Sequence, residues 1–164
     1  TRIEKGELRV QIQPLDLIAD VINPVLEELK PAAEQRNIKI AGSIPENLPL
    51  PGDVTLLRVV YKNLLDNALK YGREGGQIKL GFLEEEHGYR LEVWNEGRGL
   101  AKDKLDKLFG KFVRYKTGQD TDRMSTGLGL FITKEVITKH GGTIWAESEE
   151  GKWINLIFTL PSGR

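Results

Sequence analysis

The feature that most limits the fold of this chain is a helical segment followed directly by two alternating segments. Between residues 53 and 71, apolar residues recur at helical spacing, at Leu57, Val60, Leu64 and Ala68. Asp53 can cap this helix and Gly72 can end it. Two later segments alternate as strands do, through Ile78, Leu80 and Phe82 and through Tyr89, Leu91 and Val93. A helix with one apolar stripe, followed by an antiparallel hairpin with one apolar face, predicts helices packed on a sheet.

The remaining segments extend this pattern over the whole chain. We predict a strand through Leu8, Val10 and Ile12, a helix from Asp16 that Pro24 kinks or breaks near Asp20, and a strand through Ile38 and Ile40. Further predictions are a proline-rich loop at 45–52, helices at 103–109 and 127–140, and strands at 143–148 and 153–160. The fold class is therefore α+β, a two-layer sandwich with a mixed, mostly antiparallel sheet of about five strands and three main helices on one face.

Composition narrows the class of protein. The 164 residues suit one domain, and Lys plus Arg equals Asp plus Glu at 24 each, so no net charge attracts nucleic acid or acidic lipid from a distance. With no cysteine, the chain excludes disulfides and thiolate metal sites. No apolar run reaches the length that a membrane span needs. Because the chain begins at Thr1 and its one methionine is Met124, we expect it to belong to a longer protein.

A polar stripe runs along the helix predicted at 53–71. Asn63, Asn67 and Lys70 follow one another at spacings of four and three, so they share a narrow face beside the apolar stripe. An amide oxygen is a hard ligand that suits Mg²⁺, and a lysine offers a point charge for phosphate oxygens. The stripe therefore indicates one wall of a phosphate pocket. The alternative is an ordinary helix whose polar residues face water.

Two glycine segments could complete such a pocket. Gly127-Leu128-Gly129 opens the predicted helix at 127–140, where free N–H groups and the helix dipole attract phosphate. Asn95-Glu96-Gly97-Arg98-Gly99 follows a strand, so Asn95 can reach a pocket rim from the strand end. The alternatives are a plain loop-to-helix junction and a turn that needs glycine for its conformation. Residues 97–126 show little regular pattern, and a stretch of that length inside a domain is usually functional, often a lid.

Taken together and in this order, these segments resemble the catalytic ATP-binding domain of sensor histidine kinases, which belongs to the superfamily of gyrase B, Hsp90 and MutL. The resemblance covers nearly the whole chain and implies a Bergerat-type ATP-binding fold with a mobile lid at about 97–126. It implies that residues 7–162 form the catalytic domain and that residues 1–6 end an upstream dimerisation helix. It also implies ATP and Mg²⁺ as cofactors.

The resemblance assigns roles to the polar stripe. Asn67 would bind Mg²⁺, and Asn63 would lie one turn away near the phosphates. Lys70 would contact phosphate, and Tyr71 would line the pocket beside the nucleotide. Asn63 and Lys70, with Arg114 of the lid, are the residues it implies for catalysis.

The resemblance assigns the loop residues as well. Asn95 occupies the position of an aspartate that reads the adenine amine, and Gly97, Gly99 and Leu100 would lie beneath the base. The lid's phenylalanine segment would include Phe109, Phe112 and Arg114, for which a small satellite core is the alternative. The last glycine segment would close on the phosphates through Gly127, Leu128, Gly129 and Leu130.

The implied reaction is transfer of the ATP γ-phosphoryl group to a histidine on an upstream module that this chain lacks. His87 lies in a predicted hairpin turn and His140 at a helix end, and neither has the flanking pattern of a phosphoacceptor. We therefore expect the chain to bind nucleotide without phosphorylating itself. Expected partners are the upstream module and a response-regulator receiver domain, with no nucleic acid. We expect a cytoplasmic, monomeric domain, with membrane anchorage of the full-length protein left open.

Two residues depart from the family pattern. At position 95 asparagine replaces aspartate, which removes charge assistance worth about 1 kcal/mol from the adenine contact. We hypothesise that Asn95 weakens ATP binding and relaxes the preference for adenine over guanine. Asn63 stands where hydrolytic members of the superfamily carry a glutamate base, so transfer to an external nucleophile suits this chain better than ATP hydrolysis.

Two other functions remain open at this point. The same fold serves anti-sigma-type serine kinases, although these are usually short, stand-alone chains. A degenerate domain that binds nucleotide weakly and acts as a docking module is the alternative from another class, and Asn95 favours it.

Overall fold

The computed structural model describes residues 3–4, 7–110 and 129–163. The strands in these ranges are β1 (Ile3–Glu4), β2 (Glu7–Leu8), β3 (Gln13–Asp16), β4 (Lys39–Gly42), β5 (Pro49–Gly52), β6 (Gln77–Glu85), β7 (Gly88–Glu96), β8 (Ile144–Glu149) and β9 (Trp153–Pro161). The helices are α1 (Asn23–Gln35), α2 (Val54–Tyr71), α3 (Lys102–Leu105) and α4 (Gly129–Lys139), and a π-helical segment (Leu17–Ile22) precedes α1.

The main sheet has five strands in the order β4-β6-β7-β9-β8. Only the β4–β6 pair is parallel, and the other three pairs are antiparallel. In β7, the buried residues alternate through Tyr89, Leu91, Val93 and Asn95, so these side chains share the face that packs on the helices. The structure therefore confirms the predicted α+β sandwich with a mostly antiparallel five-stranded sheet.

Helix α2 supplies much of the core. Its buried residues form a broad stripe that contains Leu56, Leu57, Val60, Tyr61, Leu64, Leu65, Ala68 and Leu69. The Tyr61 ring meets the Phe158 ring of β9 edge to face, with centroids 5.6 Å apart. Each fully buried leucine of this kind stabilises the fold by about 2 kcal/mol. The packing anchors α2 rigidly on the sheet and leaves its polar stripe at the edge of the interface.

The kink or break predicted near Asp20 takes the form of a π-helical segment that continues directly into α1. Residues 17–22 are π-helical and the α-helix begins at Asn23. Pro24 has no N–H with which to reach the Asp20 carbonyl four residues earlier. The Arg58 Nε of α2 donates to that carbonyl instead, at 2.7 Å. A side chain from another helix thus satisfies the acceptor that the proline leaves free.

Two predictions for the first fifty residues were wrong. The loop predicted at 45–52 contains β5, which pairs antiparallel with β3. The strand predicted at 8–12 ends at Leu8, and Ile12 is exposed. Proline can occupy a two-stranded ribbon of this kind because each strand has an unpaired edge. Periodicity could not indicate the pairing of β3 with β5, because the two strands lie more than thirty residues apart in the sequence.

Smaller differences concern the ends of elements. Residues 3–4 form β1, paired with β2, where the resemblance had implied a helix end. The helix predicted at 103–109 is only α3, Lys102–Leu105, followed by a turn. The assignment of residues 1–6 to an upstream segment stays a prediction. The same holds for the lid at 97–126, of which residues 111–126 lie outside the described part.

Candidate functional site

The polar stripe of α2 lies at the boundary between core and solvent. Asn63, Asn67, Lys70 and Tyr71 are all partly buried, whereas their apolar neighbours on the helix are fully buried. Partial burial is what the wall of a ligand pocket requires, since the side chains are held by packing on one side only. The stripe therefore lies beside the apolar face of α2, and its role as a pocket wall stays a prediction.

Asn63 connects α2 to the start of α4. Its Nδ2 donates to the Gly129 carbonyl at 3.0 Å and to the Thr133 Oγ1 at 3.3 Å. The Thr133 hydroxyl also donates to the Gly129 carbonyl, at 2.8 Å. Asn63 and Thr133 together fix the first turn of α4 against the polar stripe. Asn63 thus holds the start of α4 in place, a structural role that was not predicted.

Asn67 and Lys70 are the residues of the stripe best able to meet a ligand. Within the described ranges, the Asn67 amide has no hydrogen-bond partner. The Lys70 Nζ lies 6.0 Å from the centroid of the Tyr71 ring, at the distance limit of a cation–π contact.

Asn95 lies deep in the structure beside the end of α2. It is 2% exposed, and its Nδ2 donates to the Glu96 carbonyl at 3.0 Å. Gly97 forms an antiparallel bridge with Gly72, directly after α2. A Cβ added at Gly97 would lie 2.6 Å from the Tyr71 carbonyl and 3.2 Å from the Asn95 Nδ2. This close approach explains why glycine is needed, and it brings Asn95 to the same corner as Tyr71.

The next turn of chain is held by the β8–β9 hairpin. Gly99 has a φ of +62°, and an added Cβ would lie 2.5 Å from the Ser148 Oγ. That hydroxyl accepts from the Leu100 N–H at 2.8 Å and donates to the Trp153 carbonyl at 2.7 Å. The segment predicted to lie beneath the base is thus rigidly positioned.

The charges near the stripe are modest. Burial raises the pKa of the Asp66 carboxyl, an effect that the Lys62 ammonium opposes, that Glu28 increases and that Lys70 also opposes. The described residues contain no cluster of three or more histidine or acidic residues that could hold a metal ion. A metal here would need an amide and ligand oxygens as partners.

In the same ranges, none of the helices combines the length and apolar character needed to cross a bilayer.

The remaining predicted residues divide into two groups. Leu100, Phe109 and Leu130 are partly buried and pack against the core. Four further residues lie outside the described residues: Phe112, Arg114, Gly127 and Leu128. The roles assigned to them stay predictions.

Two residues that support the site, Thr133 and Arg36, were not predicted from the sequence. Thr133 sits four residues after Gly129, a spacing that could have suggested its hydroxyl bond back to that carbonyl. Arg36 donates to main-chain carbonyls at the end of α2, and no local pattern signals a contact between residues more than thirty positions apart.

Comparisons with known proteins show the family to which this chain is related. A family model described as histidine kinase-, DNA gyrase B-, and HSP90-like ATPase matches residues 52–164. Sensor histidine kinase WalK of Bacillus subtilis (strain 168) is 36% identical over 131 residues, which is 78% of this chain and 21% of WalK. The adaptive-response sensory kinase SasA of Synechococcus sp. (strain JA-3-3Ab) is 34% identical over 158 residues, which is 95% of this chain and 41% of SasA. The chain thus spans less than half the length of either relative.

Solved structures share the fold. The nucleotide-free catalytic domain of histidine kinase ThkA has a TM-score of 0.80 at 29% identity, covering 93% of this chain and 96% of that one. The match to nearly all of an isolated catalytic domain confirms both the fold and the resemblance inferred from sequence. The chain therefore belongs to the family of histidine kinase-, DNA gyrase B- and HSP90-like ATPases, and within it corresponds to the catalytic domain of sensor histidine kinases.

Proposed function

We propose that this domain binds Mg-ATP along the polar stripe of α2 and transfers the γ-phosphoryl group to a histidine on an upstream dimerisation module. The observation that carries the proposal is the convergence of three predicted segments. Asn63 of the stripe bonds to Gly129 at the start of α4, at 3.0 Å. At the other end of the stripe, the bridge between Gly72 and Gly97 places Asn95 beside Tyr71.

The residues present fit a magnesium ion. Mg²⁺ keeps several waters and binds through one or two protein oxygens together with substrate phosphates. Asn67 can supply such an oxygen, because its partly buried amide has no partner within the described ranges. When bound, the ion would neutralise charge on the phosphates.

The protein's part in the reaction is to bind and orient. Lys70 lies one helical turn after Asn67 and would offset phosphate charge, a task that we also assign to Arg114. Asn63 is neutral and its amide nitrogen is engaged by α4, so it cannot remove a proton from water. The base that activates the acceptor histidine would therefore come from the upstream module, and the chain is suited to transfer rather than to hydrolysis.

Two solved kinases support the ligand and the partner. The full-length ShkA structure holds AMPPNP and matches this chain with a TM-score of 0.78 at 26% identity, covering 94% of this chain and 32% of that one. ThkA has been solved with the response regulator TrrA, at a TM-score of 0.77 and 26% identity, covering 93% of this chain and 42% of that one. We propose a receiver domain as the downstream partner of the longer protein, and a cytoplasmic location because the reaction consumes ATP.

Calorimetric titration with Mg²⁺ and AMPPNP tests the nucleotide site directly. We expect saturable binding by the unmodified chain and at least about a hundredfold weaker binding by Asn67→Ala, with an unchanged unfolding midpoint. Lys62→Ala is the matched control, because Lys62 is exposed on the same helix and forms an ion pair with Glu28, away from the polar stripe. Retained affinity in Asn67→Ala would contradict the metal assignment, and no binding by the unmodified chain would favour a degenerate docking domain.

Phosphoryl transfer requires the longer protein. Incubation with ATP labelled at the γ-phosphate should give an acid-labile, base-stable phosphohistidine upstream of this domain. Phosphoserine in a separate protein would instead indicate an anti-sigma-type kinase.

A further inference from the structure

We propose that Arg36 is a positioning residue of the nucleotide site, which holds the last turn of α2 and, through it, both the phosphate side and the base side of the pocket. The inference deepens the proposed function and rests on it. Arg36 is not part of any of the predicted site segments and does not need to touch the nucleotide.

The guanidinium of Arg36 binds the carbonyls that α2 leaves without partners. Its Nη1 donates to the carbonyls of Leu69 and Lys70, the latter at 3.2 Å. Its Nη2 donates to the Gly72 carbonyl at 2.9 Å. The last carbonyls of a helix lack intrahelical partners, and a cation there also offsets the negative end of the helix dipole. One side chain thus satisfies three acceptors in the turn that carries Lys70 and Tyr71.

Arg36 is itself held by the end of α1. It is the residue after the helix, and Asn37 follows with a φ of +53°. The Ile38 N–H donates to the Ala33 carbonyl at 2.9 Å, and the Asn37 N–H donates to the Glu34 carbonyl at 3.0 Å. This pair of bonds is a Schellman motif, which fixes the backbone at the helix end. The guanidinium is therefore projected from a rigid base toward the end of α2.

The turn that Arg36 holds is connected to the base side of the site. Gly72 bridges to Gly97, and the next residue, Arg73, donates its N–H to the Glu96 carbonyl at 2.8 Å. The same Glu96 carbonyl accepts from the Asn95 Nδ2 at 3.0 Å. A shift of the turn would therefore displace the hydrogen-bond partner of Asn95 together with Lys70.

Electrostatics supports the same role. The end of α2 carries the negative pole of the helix dipole, which opposes the binding of a triphosphate nearby. Arg73 is paired with Glu96, its Nη1 lying 3.5 Å from the Glu96 Oε2. Arg36 directs its charge onto the carbonyls themselves, since its contact with Glu74 is long, at 3.9 Å. Lysine could keep the charge but could not span three carbonyls with a planar fork.

The test compares Arg36→Met and Arg36→Lys with Arg58→Met. Arg58 lies in the first half of α2. It is the matched control because its Nε also donates to a main-chain carbonyl, that of Asp20. The dissociation constant for Mg²⁺ with AMPPNP is measured at a temperature where urea titration shows each variant to be folded. We expect Arg36→Met to weaken binding by about tenfold or more, Arg36→Lys to recover part of the loss, and Arg58→Met to stay within about twofold of the unmodified chain.

In the full-length kinase, Arg36→Met should raise the KM for ATP and also lower kcat, because the turn that Arg36 holds carries Lys70. Binding by Arg36→Met equal to that of the unmodified chain would overturn the positioning role alone. Equal weakening by Arg58→Met would also overturn it, since the effect would then follow general loosening of α2. Failure of the unmodified chain to bind would overturn the proposed function, and the role of Arg36 with it.

Discussion

The two ends of α2 differ in the burial and hydrogen bonding of their polar side chains. At the start, Asp53 is 2% exposed, its Oδ1 accepts from the Leu56 N–H at 3.0 Å and its Oδ2 accepts from the Gln11 N–H at 2.9 Å. The Asp53 N–H donates to the buried Nε2 of His140 at 3.0 Å. Toward the other end, Asn67 has no partner within the described ranges, and Lys70 and Tyr71 are only partly buried.

The difference shows how one helix combines stability and function. Buried polar groups that bond one another stabilise a single arrangement, and leaving any of them unpaired is costly. Toward the other end, the polar side chains of the proposed nucleotide site are only partly buried, and Arg36 donates to the main-chain carbonyls of the last turn. We call the start of α2 around Asp53 and His140 the sealed end, and the part around Asn67 and Lys70 the open end. Substitutions at the sealed end should change mainly the stability of the fold, and substitutions at the open end should change mainly the affinity for nucleotide.

The largest effect is expected from His140→Ala at the sealed end. The ring also donates from Nδ1 to the Val136 carbonyl, at 2.8 Å, so the substitution removes two buried hydrogen bonds and takes away the acceptor of the Asp53 N–H. We expect the free energy of unfolding in urea to fall by about 2–4 kcal/mol. Nucleotide affinity of the folded variant should change less than twofold, because Asn67 lies roughly 20 Å along α2 from Asp53, the residue that His140 contacts.

His87→Ala is the control for that measurement, because His87 is exposed in the β6–β7 turn. A similar loss of stability in both variants would show that the sealed end is not special.

Gly97→Ala should act mainly at the open end. The added Cβ would lie 2.6 Å from the Tyr71 carbonyl, so the bridge to Gly72 must open. We expect affinity for Mg²⁺ with AMPPNP to fall by at least about tenfold and stability by about 1–2 kcal/mol. Gly129→Ala provides a comparison, since its Cβ would meet Asn63 at an ordinary 3.6 Å and stability should barely change. Unchanged affinity in Gly97→Ala would show that the contact between Gly97 and Gly72 is not part of the nucleotide site.

Asn95→Asp tests how the base side of the open end reads the nucleotide. The carboxylate restores charge assistance toward the adenine amine, worth about 1 kcal/mol or roughly fivefold in affinity for ATP over GTP. It also loses the donation to the Glu96 carbonyl, so unfolding should become slightly easier without nucleotide. Calorimetric titration of both variants with ATP and GTP measures the ratio. An unchanged ratio would mean that residue 95 does not select the base.

The smallest effect is expected at Asp66, on the exposed flank of the polar stripe. Burial raises the pKa of this carboxyl, so folding favours its protonated form and stability falls as pH rises above the ordinary value of 3.8. Solvent screening keeps the effect small, and Asp66→Asn should stabilise the chain by less than about 0.5 kcal/mol at pH 7. The gain should vanish below pH 3.8 in urea titrations. A loss of stability at pH 7 would contradict the sign.

The sequence by itself determined those parts of the protein that depend on neighbours along the chain. The span of α2 and its Asp53 cap, the β6–β7 hairpin and the shared face of Asn63, Asn67 and Lys70 all follow from periodicity and capping, which act over a few residues. Pro24 likewise predicted that the first helix is irregular near Asp20. These features also carried the family resemblance, because its signature lies in short segments.

Only the tertiary structure decided which distant groups meet. The β3–β5 ribbon, the His140–Asp53 bond, the Asn63–Gly129 bond and the Arg36 contacts join residues from about 33 to 87 positions apart. Hydrogen bonds over such separations form only once packing has brought the segments together, and no local pattern of residues records them. The segments that form the proposed site could therefore be recognised in the sequence, whereas the contacts that hold those segments together had to be seen in the fold.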